Sequence, residues 1–167
     1  MARDDVLRAV WRDKRFRALP ASARALFAQM VVLGPTSSAG VLPLMPAKWA
    51  AGSPDTDEAS TRADLAKLAE VGFVVVDAQT FEVLIRNFIH LSGAHRIPNH
   101  LRGALNSAKA VDSPMLRQCL ALELGKVDGS EVVEAIEILV ADMDLGSIDD
   151  ASAEHEAVVH EPSEEDR

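Results

Sequence analysis

Aromatic residues and cysteine are scarce in this 167-residue chain. Tyrosine is absent, and Phe and Trp together supply only 4% of the residues. An apolar core must therefore be built from Leu, Val, Ala and Ile, which favours compact helices over a large β-sandwich. The single cysteine, Cys119, excludes an internal disulfide and a zinc site made of several cysteines, as expected in a reducing cytoplasm.

Long hydrophobic runs are also lacking. No apolar stretch approaches the ~18 residues that a membrane-spanning helix needs, and the densest run, residues 73–76, has the length of a strand. Residues 1–5 lack the apolar segment of a secretory signal. We therefore expect a soluble, intracellular protein with no membrane partner.

Sequence motifs for phosphate binding, dinucleotide binding and a nucleophilic serine are missing as well. His90, His95 and His100 recur every five residues, a spacing that on one continuous helix rotates each by about 140° from the last. Such residues do not converge on a metal ion without an intervening loop. We predict a non-enzymatic protein with no cofactor and no metal site.

The charges that are present are divided unevenly along the chain. Residues 1–118 hold 15 Lys and Arg against 11 Asp and Glu, a net charge of +4. Residues 119–167 hold 2 against 15, a net charge of −13. A mildly basic N-terminal part can contact phosphate, although the whole chain, at −9, is acidic.

The N-terminal half contains a regular succession of local signals. After a basic segment over residues 1–19, Pro20 opens a helix with one apolar stripe, and Gly34-Pro35 ends it. Asp55 or Asp57 can cap a later helix whose Leu65, Leu68 and Ala69 face inward. The predicted elements are a helix over 21–33, an extended piece over 40–44, a short helix over 47–51, a helix over 57–71 and a hairpin of strands 73–76 and 81–86 around a turn at 77–80.

Three more helices are predicted after the hairpin, over residues 98–111, 114–124 and 130–143. The acidic residues 145–167 contain no aromatic residue and are predicted to be disordered. The sequence thus indicates a mainly α fold with a small β-hairpin (α+β). It divides into a domain over 1–90, a helical extension over 91–144 and an acidic tail over 145–167.

The order helix, short strand, short helix, helix and hairpin is the connectivity of a winged helix-turn-helix, in which the second helix of the motif enters the major groove of DNA. The residue types at particular positions along these elements also support this interpretation. The positions are Trp11, Asp13, Phe16 and Leu19, then Ala23, Arg24, Leu26 and Phe27, then residues 39–44, then Trp49 and Ala50, and finally Leu65, Leu68 and residues 72–74.

In these residues the chain resembles small winged helix-turn-helix proteins of actinobacterial phages and prophages, which are similar to the N-terminal domains of phage replication-initiation proteins. The resemblance covers roughly residues 8–90. It implies binding of double-stranded DNA in a bacterial cytoplasm, in replication initiation or transcription regulation. It implies little about the acidic third of the chain.

The predicted recognition helix offers Ser60, Thr61, Arg62 and Lys67 as base or phosphate contacts. A guanidinium can bridge guanine O6 and N7, so Arg62 is the best candidate for base reading. Arg62 can equally pair with Glu58 or Asp64 on the helix surface. The helix also places Asp64 and Glu70 outward, and the hairpin turn contains no Arg or Lys, which departs from a strongly basic DNA reader.

Positive charge is concentrated in two other places. Arg8, Arg12, Lys14, Arg15 and Arg17 lie within ten residues near the start. Arg96 and Arg102, with Lys109, follow the hairpin. If both groups flank the recognition helix they can hold phosphates; alternatively each residue lies on a solvated face.

The predicted helix over 130–143 has an apolar stripe that needs a partner. The stripe can pack on its own domain, form a homodimer, or bind a replication or host protein. The second hypothesis for the whole chain is therefore a protein-interaction adaptor built on the same scaffold.

Overall fold

A computed structural model of the chain describes residues 2–152, with side-chain surroundings described for residues 3–141. The fold is mainly helical with a small antiparallel sheet, which confirms the predicted α+β class. No helix in the described part of the chain combines the length and the apolar character needed to cross a membrane. In chain order the elements are α1 (Ala2–Val10), α2 (Lys14–Ala18), α3 (Ala21–Leu33), β1 (Val41–Pro43), α4 (Pro46–Ala50), α5 (Glu58–Glu70), β2 (Val74–Asp77), β3 (Glu82–Ile85), α6 (Phe88–Leu91), a 3-10 helix (Ala94–Arg96), α7 (Pro98–Lys109), α8 (Pro114–Leu124) and α9 (Ser130–Ser152).

The sheet has three strands in the order β1-β3-β2, so the last strand in sequence is the central one. Both neighbours are antiparallel to it, and Val83 lies opposite Leu42 of β1 and Val76 of β2. Pro43 ends the edge strand β1, where a missing N–H removes no central ladder bond. The extended piece predicted over 40–44 is therefore an edge strand that closes onto the hairpin.

Each face of the sheet covers its own hydrophobic core. One core combines one face of the sheet with α1 to α5, and its largest fully buried side chains are Phe16, Phe27, Met30, Leu42, Leu68 and Ile85. The other core combines the opposite face with α7 to α9, and its largest fully buried side chains are Leu84, Leu116, Leu120, Leu124 and Leu139. Helices after the hairpin thus complete the burial of strands that come before them in sequence.

Two parts of the N-terminal half differ from the sequence prediction. The basic segment over residues 1–19 contains two helices, α1 and α2, anchored by the fully buried Val6 and Phe16. The strands of the hairpin are shifted, because Phe81 leaves the strand and adopts a φ of +57° with 66% of its surface exposed. The turn consequently ends one residue later than predicted.

Helix α9 begins at Ser130 as predicted but continues to Ser152. The first part of the predicted disordered tail, from residue 145, is therefore helical. The rest of that predicted tail, residues 153–167, lies outside the described residues.

The histidines spaced by five residues are not on one helix. Helix α6 ends at Leu91, and Gly93 adopts a φ of +72°, so His90 and His95 stack with ring centroids 4.4 Å apart and planes at 7°. The 140° rotation that holds on one continuous helix does not apply to His90 and His95, because the helix ends between them. Partial burial, followed by the positive charges of His95, Arg96 and Lys126, lowers the pKa of His90.

Two glycines, Gly40 and Gly72, both have a positive φ, but only Gly40 lies close to other side-chain atoms. Gly40 (φ +89°) and Gly72 (φ +83°) both adopt the left-handed region, which costs an L-residue about 1–2 kcal/mol. A Cβ on Gly40 would lie 2.7 Å from Phe88 Cγ and still closer to Phe88 Cβ, whereas a Cβ on Gly72 would meet nothing within 4 Å.

Gly40→Ala is therefore expected to destabilise the protein by about 1–3 kcal/mol more than Gly72→Ala, because only Gly40→Ala adds overpacking. Urea-unfolding midpoints of the two variants measure the difference. Equal destabilisation would mean that Phe88 moves aside without cost.

Candidate nucleic-acid interface

Helix α5 begins with a reciprocal cap that uses one of the predicted DNA contacts. The Asp57 carboxylate accepts the backbone N–H of Ser60 at 2.7 Å, and Ser60 Oγ accepts the backbone N–H of Asp57 at 3.0 Å. The backbone N–H of Ser60 is the main cause that lowers the pKa of Asp57. Of the two predicted cap residues, Asp55 and Asp57, it is Asp57 that begins α5, and the cap engages the Ser60 hydroxyl.

The buried side of α5 includes two polar residues in addition to its apolar ones. Thr61 and Asp64 are buried beside Leu65 and Leu68, since α5 packs against both α3 and α4. Thr61 is therefore corrected from a DNA contact to a core residue, and Asp64 does not point outward. Lys67 Nζ lies 3.0 Å from Asp64 Oδ1 and compensates the buried carboxylate.

The outward side of α5 is exposed and carries no net charge, because Glu58 and Glu70 balance Arg62 and Lys67. Ala59, Ala63 and Ala66 occupy it with Glu70, and Arg62 flanks them. Arg62 donates two hydrogen bonds to Glu58 Oε1, at 2.7 and 3.0 Å. Both partners of this ion pair are about half exposed, so its net stabilisation is small and another acceptor can compete for Arg62.

A cluster of cations lies next to the C-terminal end of α5. We define the α2 cluster as Arg12, Lys14, Arg15 and Arg17. Its position follows from Arg15, whose guanidinium lies 5.7 Å from the ring centroid of Phe73, three residues after α5 ends. Phe16 of α2 also contacts Phe73, at a centroid distance of 5.2 Å. Helix α2 and Arg15 therefore lie beside the residue that follows the C-terminal end of α5.

The members of the α2 cluster differ in their availability. Arg15 pairs with Asp13, the cap of α2, at 2.7 Å, and this interaction lowers the pKa of Asp13. Arg12, Lys14 and Arg17 are exposed. Within residues 3–141 none of these three has a carboxylate partner or a side-chain hydrogen bond, so they can donate hydrogen bonds to phosphate oxygens without breaking an existing interaction.

The second group of predicted cations lies elsewhere. Arg102 of α7 approaches Glu131 of α9 at 3.4 Å, and Arg96 Nε lies 3.3 Å from His95 Nε2. These helices pack on the opposite face of the sheet from α5. Arg96 and Arg102 therefore do not flank the predicted recognition helix, because the sheet separates them from it.

The hairpin is fixed to the start of α8 by two acidic side chains. Ser113 Oγ donates to Asp77 Oδ2 at 2.6 Å, and the backbone N–H of Ser113 donates to the Glu82 carboxylate at 2.7 Å. The Asp77 carboxylate also accepts the backbone N–H of Gln79 at 2.8 Å. No local signal links residues 36 positions apart, so this connection was not predicted from the sequence.

The Asp77 connection makes stability dependent on pH. The Ser113 hydroxyl, followed by the Gln79 N–H, lowers the pKa of Asp77 below its ordinary value of 3.8. Folding therefore favours the carboxylate, and this stabilisation is present above pH 3.8 and is lost as the pH falls through the lowered value.

Asp77→Asn is expected to destabilise the protein by about 1–2 kcal/mol near neutral pH, with a smaller loss below pH 3.8. Urea unfolding at both pH values measures the two losses. Asp112→Asn is the matched control, because no hydrogen bond to the exposed Asp112 side chain occurs in the described part of the chain. A loss for Asp77→Asn that is the same at both pH values would contradict the assignment.

A partly buried ion pair, in which the Arg86 side chain stays 32% exposed, joins the end of β3 to α8. Arg86 Nε donates to Glu123 Oε1, and the backbone N–H of Asn87 donates to Glu123 Oε2 at 2.9 Å. The Glu123 side chain is only 7% exposed. This pair holds α8 on the sheet, and the sequence offered no signal for it beyond an acidic residue in an apolar helix.

Comparisons of the chain with protein-family models, with curated proteins and with solved structures find no match. The functional interpretation therefore depends on the arrangement of α5, the α2 cluster and the hairpin that is hydrogen-bonded to α8.

Proposed function

We propose that the chain binds double-stranded DNA through a winged helix-turn-helix formed by α3 to β3, with α5 as the recognition helix. The order of elements and the return of β3 between β1 and β2 support this connectivity. The observation that carries the proposal is the exposed outward side of α5 together with the packing of α2 on Phe73, just beyond the C-terminal end of α5. Arg12, Lys14 and Arg17, on or next to α2, have no ion-pair partner within residues 3–141.

The outward side of α5 suits close approach to a major groove. Ala59, Ala63 and Ala66 are small, so the helix backbone can come near the base edges. Arg62 then reaches a base or a phosphate after leaving Glu58, and the cost is low because that pair is exposed. Glu70 is unfavourable beside phosphate, which points to modest affinity and a strong dependence on the α2 cluster.

Phosphate contacts come from Arg12, Lys14 and Arg17 rather than from the hairpin. The hairpin turn holds no Lys or Arg, and Asp77 and Glu82 at its base are engaged with Ser113. Arg96 and Arg102 face away from α5 and have no part in this binding mode. The biological setting that goes with this proposal is replication initiation or transcription regulation in a phage or prophage.

The salt dependence of binding tests the proposal. Labelled duplex DNA is titrated with the full chain at several salt concentrations, and fluorescence anisotropy gives the affinity. With about three to four phosphate contacts, log K is expected to fall against log salt with a slope of about −3. Absence of binding at low salt, or a flat response to salt, would exclude DNA binding.

A second candidate function is a protein-interaction adaptor. Exposed apolar side chains on α8 and α9 favour it, since Leu122 is 68% and Val133 55% exposed. Patches of exposed apolar side chains, rather than single residues, mark contact surfaces, and α8 and α9 are packed neighbours. If these side chains form a homodimer contact, Leu122→Lys with Val133→Lys would change the sedimenting species from a dimer to a monomer. Duplex binding by the monomer would stay unchanged.

A further inference from the structure

Trp11 is an exposed aromatic side chain within the basic part of the chain. It follows α1 directly, and 44% of its surface is exposed. Its ring meets Phe16 edge to face at a centroid distance of 5.4 Å, which attaches the indole to the first core. The ring is therefore held in place although much of it faces solvent.

Arg24 of α3 completes the arrangement. Its guanidinium lies over the Trp11 ring, 5.2 Å from the centroid. Arg24 Nε is buried and has no hydrogen-bond partner among the described residues, and no carboxylate there pairs with the guanidinium. A positive charge held against an indole without a counter-ion is a favourable neighbour for a phosphate or a base carbonyl.

The surroundings of Trp11 are basic. Arg12 is the next residue and Arg8 lies one helical turn earlier, and both are exposed. A fixed aromatic ring bordered by cations is the combination that binds unpaired nucleotides, because any base can stack on the ring while the cations follow the backbone. A base inside a duplex cannot stack on Trp11 in this way.

We infer that Trp11, Arg12 and Arg24 form a binding site for single-stranded DNA, in which an unpaired base stacks on the part of the indole that Arg24 leaves exposed. The inference rests on the proposed function, since it places an unpaired segment beside the duplex held on α5. Phe16 connects the two sites, because it contacts both Trp11 and Phe73.

The emission of Trp11 reports on the site directly. The chain contains two Trp and no Tyr, and Trp49 is buried with 5% of its surface exposed. The full chain is titrated with oligothymidylate of about ten nucleotides, a length within the range of single-stranded binding grooves. We expect stacking to quench the emission of the wild-type chain and to leave that of Trp11→Phe nearly unchanged, because only Trp49 emits there.

Affinities measured by anisotropy complete the test. Trp11→Leu is expected to weaken oligothymidylate binding at least about fivefold and to leave duplex affinity unchanged within twofold. Arg24→Gln is also expected to weaken oligothymidylate binding. Duplex binding with no quenching by oligothymidylate overturns the inference and leaves the proposed function intact. Equal quenching by a fully paired duplex also overturns it, whereas failure of both DNAs to bind overturns the proposed function as well.

Discussion

Glu123→Ala is expected to destabilise the protein by about 2–3 kcal/mol, because it leaves Arg86, which is only about one-third exposed, without its partner next to the core. Glu123 accepts both the Arg86 guanidinium and the Asn87 backbone N–H. Its removal therefore also leaves a donor at the end of β3 without an acceptor. The midpoint and the slope of urea unfolding measure the loss.

Glu131→Ala is the matched control for this prediction. Glu131 also pairs with an arginine, Arg102, but both side chains are more than half exposed. Its loss is expected to cost at most about 0.5 kcal/mol. Equal effects of Glu123→Ala and Glu131→Ala would contradict a special role for burial.

A double variant separates the cost of an unpaired charge from the value of the pair. Arg86→Met with Glu123→Leu removes both charges and fills the space with apolar atoms. Since a buried pair can often be replaced at little net cost, this variant is expected to recover most of the stability that Glu123→Ala loses. A double variant as unstable as Glu123→Ala would show that hydrogen bonding, rather than charge, holds α8 on the sheet.

Neutralising Arg12, Lys14 and Arg17 to Gln is expected to weaken duplex DNA binding by about 10²–10³-fold at 0.1 M salt. Each phosphate contact that is lost leaves about 0.9 counterion bound to the DNA instead of released. Loss of three contacts therefore makes the slope of log K against log salt shallower by about 2.7. Anisotropy titrations over a salt series give both quantities. Folding is not expected to change, because the three side chains are exposed.

The matched control changes the same number of charges on the opposite side of the sheet. Arg96, Arg102 and Lys109 are replaced by Gln, which alters the net charge equally. The slope is expected to stay within about one unit of the wild-type value, since these residues do not face α5. If this control makes the slope as shallow as the replacement of Arg12, Lys14 and Arg17 does, binding depends on net charge alone and the proposed interface is wrong.

Much of the secondary structure was predictable because its signals are local. Pro20 and Gly34 bracket α3, and Asp57 begins α5 at the predicted place. The hairpin was recognised, but its turn was misplaced by Phe81, which adopts a positive φ that a bulky residue rarely takes. Helix α1 was missed because it is only nine residues long and no proline or capping residue marks its start.

The site was predictable only in part, for a related reason. The cations near the N-terminus were recognised by their number within a few residues, and Arg62 was correctly expected to have Glu58 as an alternative partner. Thr61 and Asp64 were misplaced, because their burial depends on how α3 and α4 together cover α5. The positions of Arg96 and Arg102 depend on the sheet lying between the two cores.

The amino-acid sequence by itself determined the helical character of the chain, the caps that begin its helices and the separation of basic from acidic residues. These features follow from dihedral preferences, hydrogen bonds and charges that act within a few residues. Only the tertiary structure decided which cations remain unpaired, that Glu123 meets Arg86, and that Trp11 lies beneath Arg24. Such contacts join residues distant in sequence, and they form because two layers of helices must bury both faces of one small sheet.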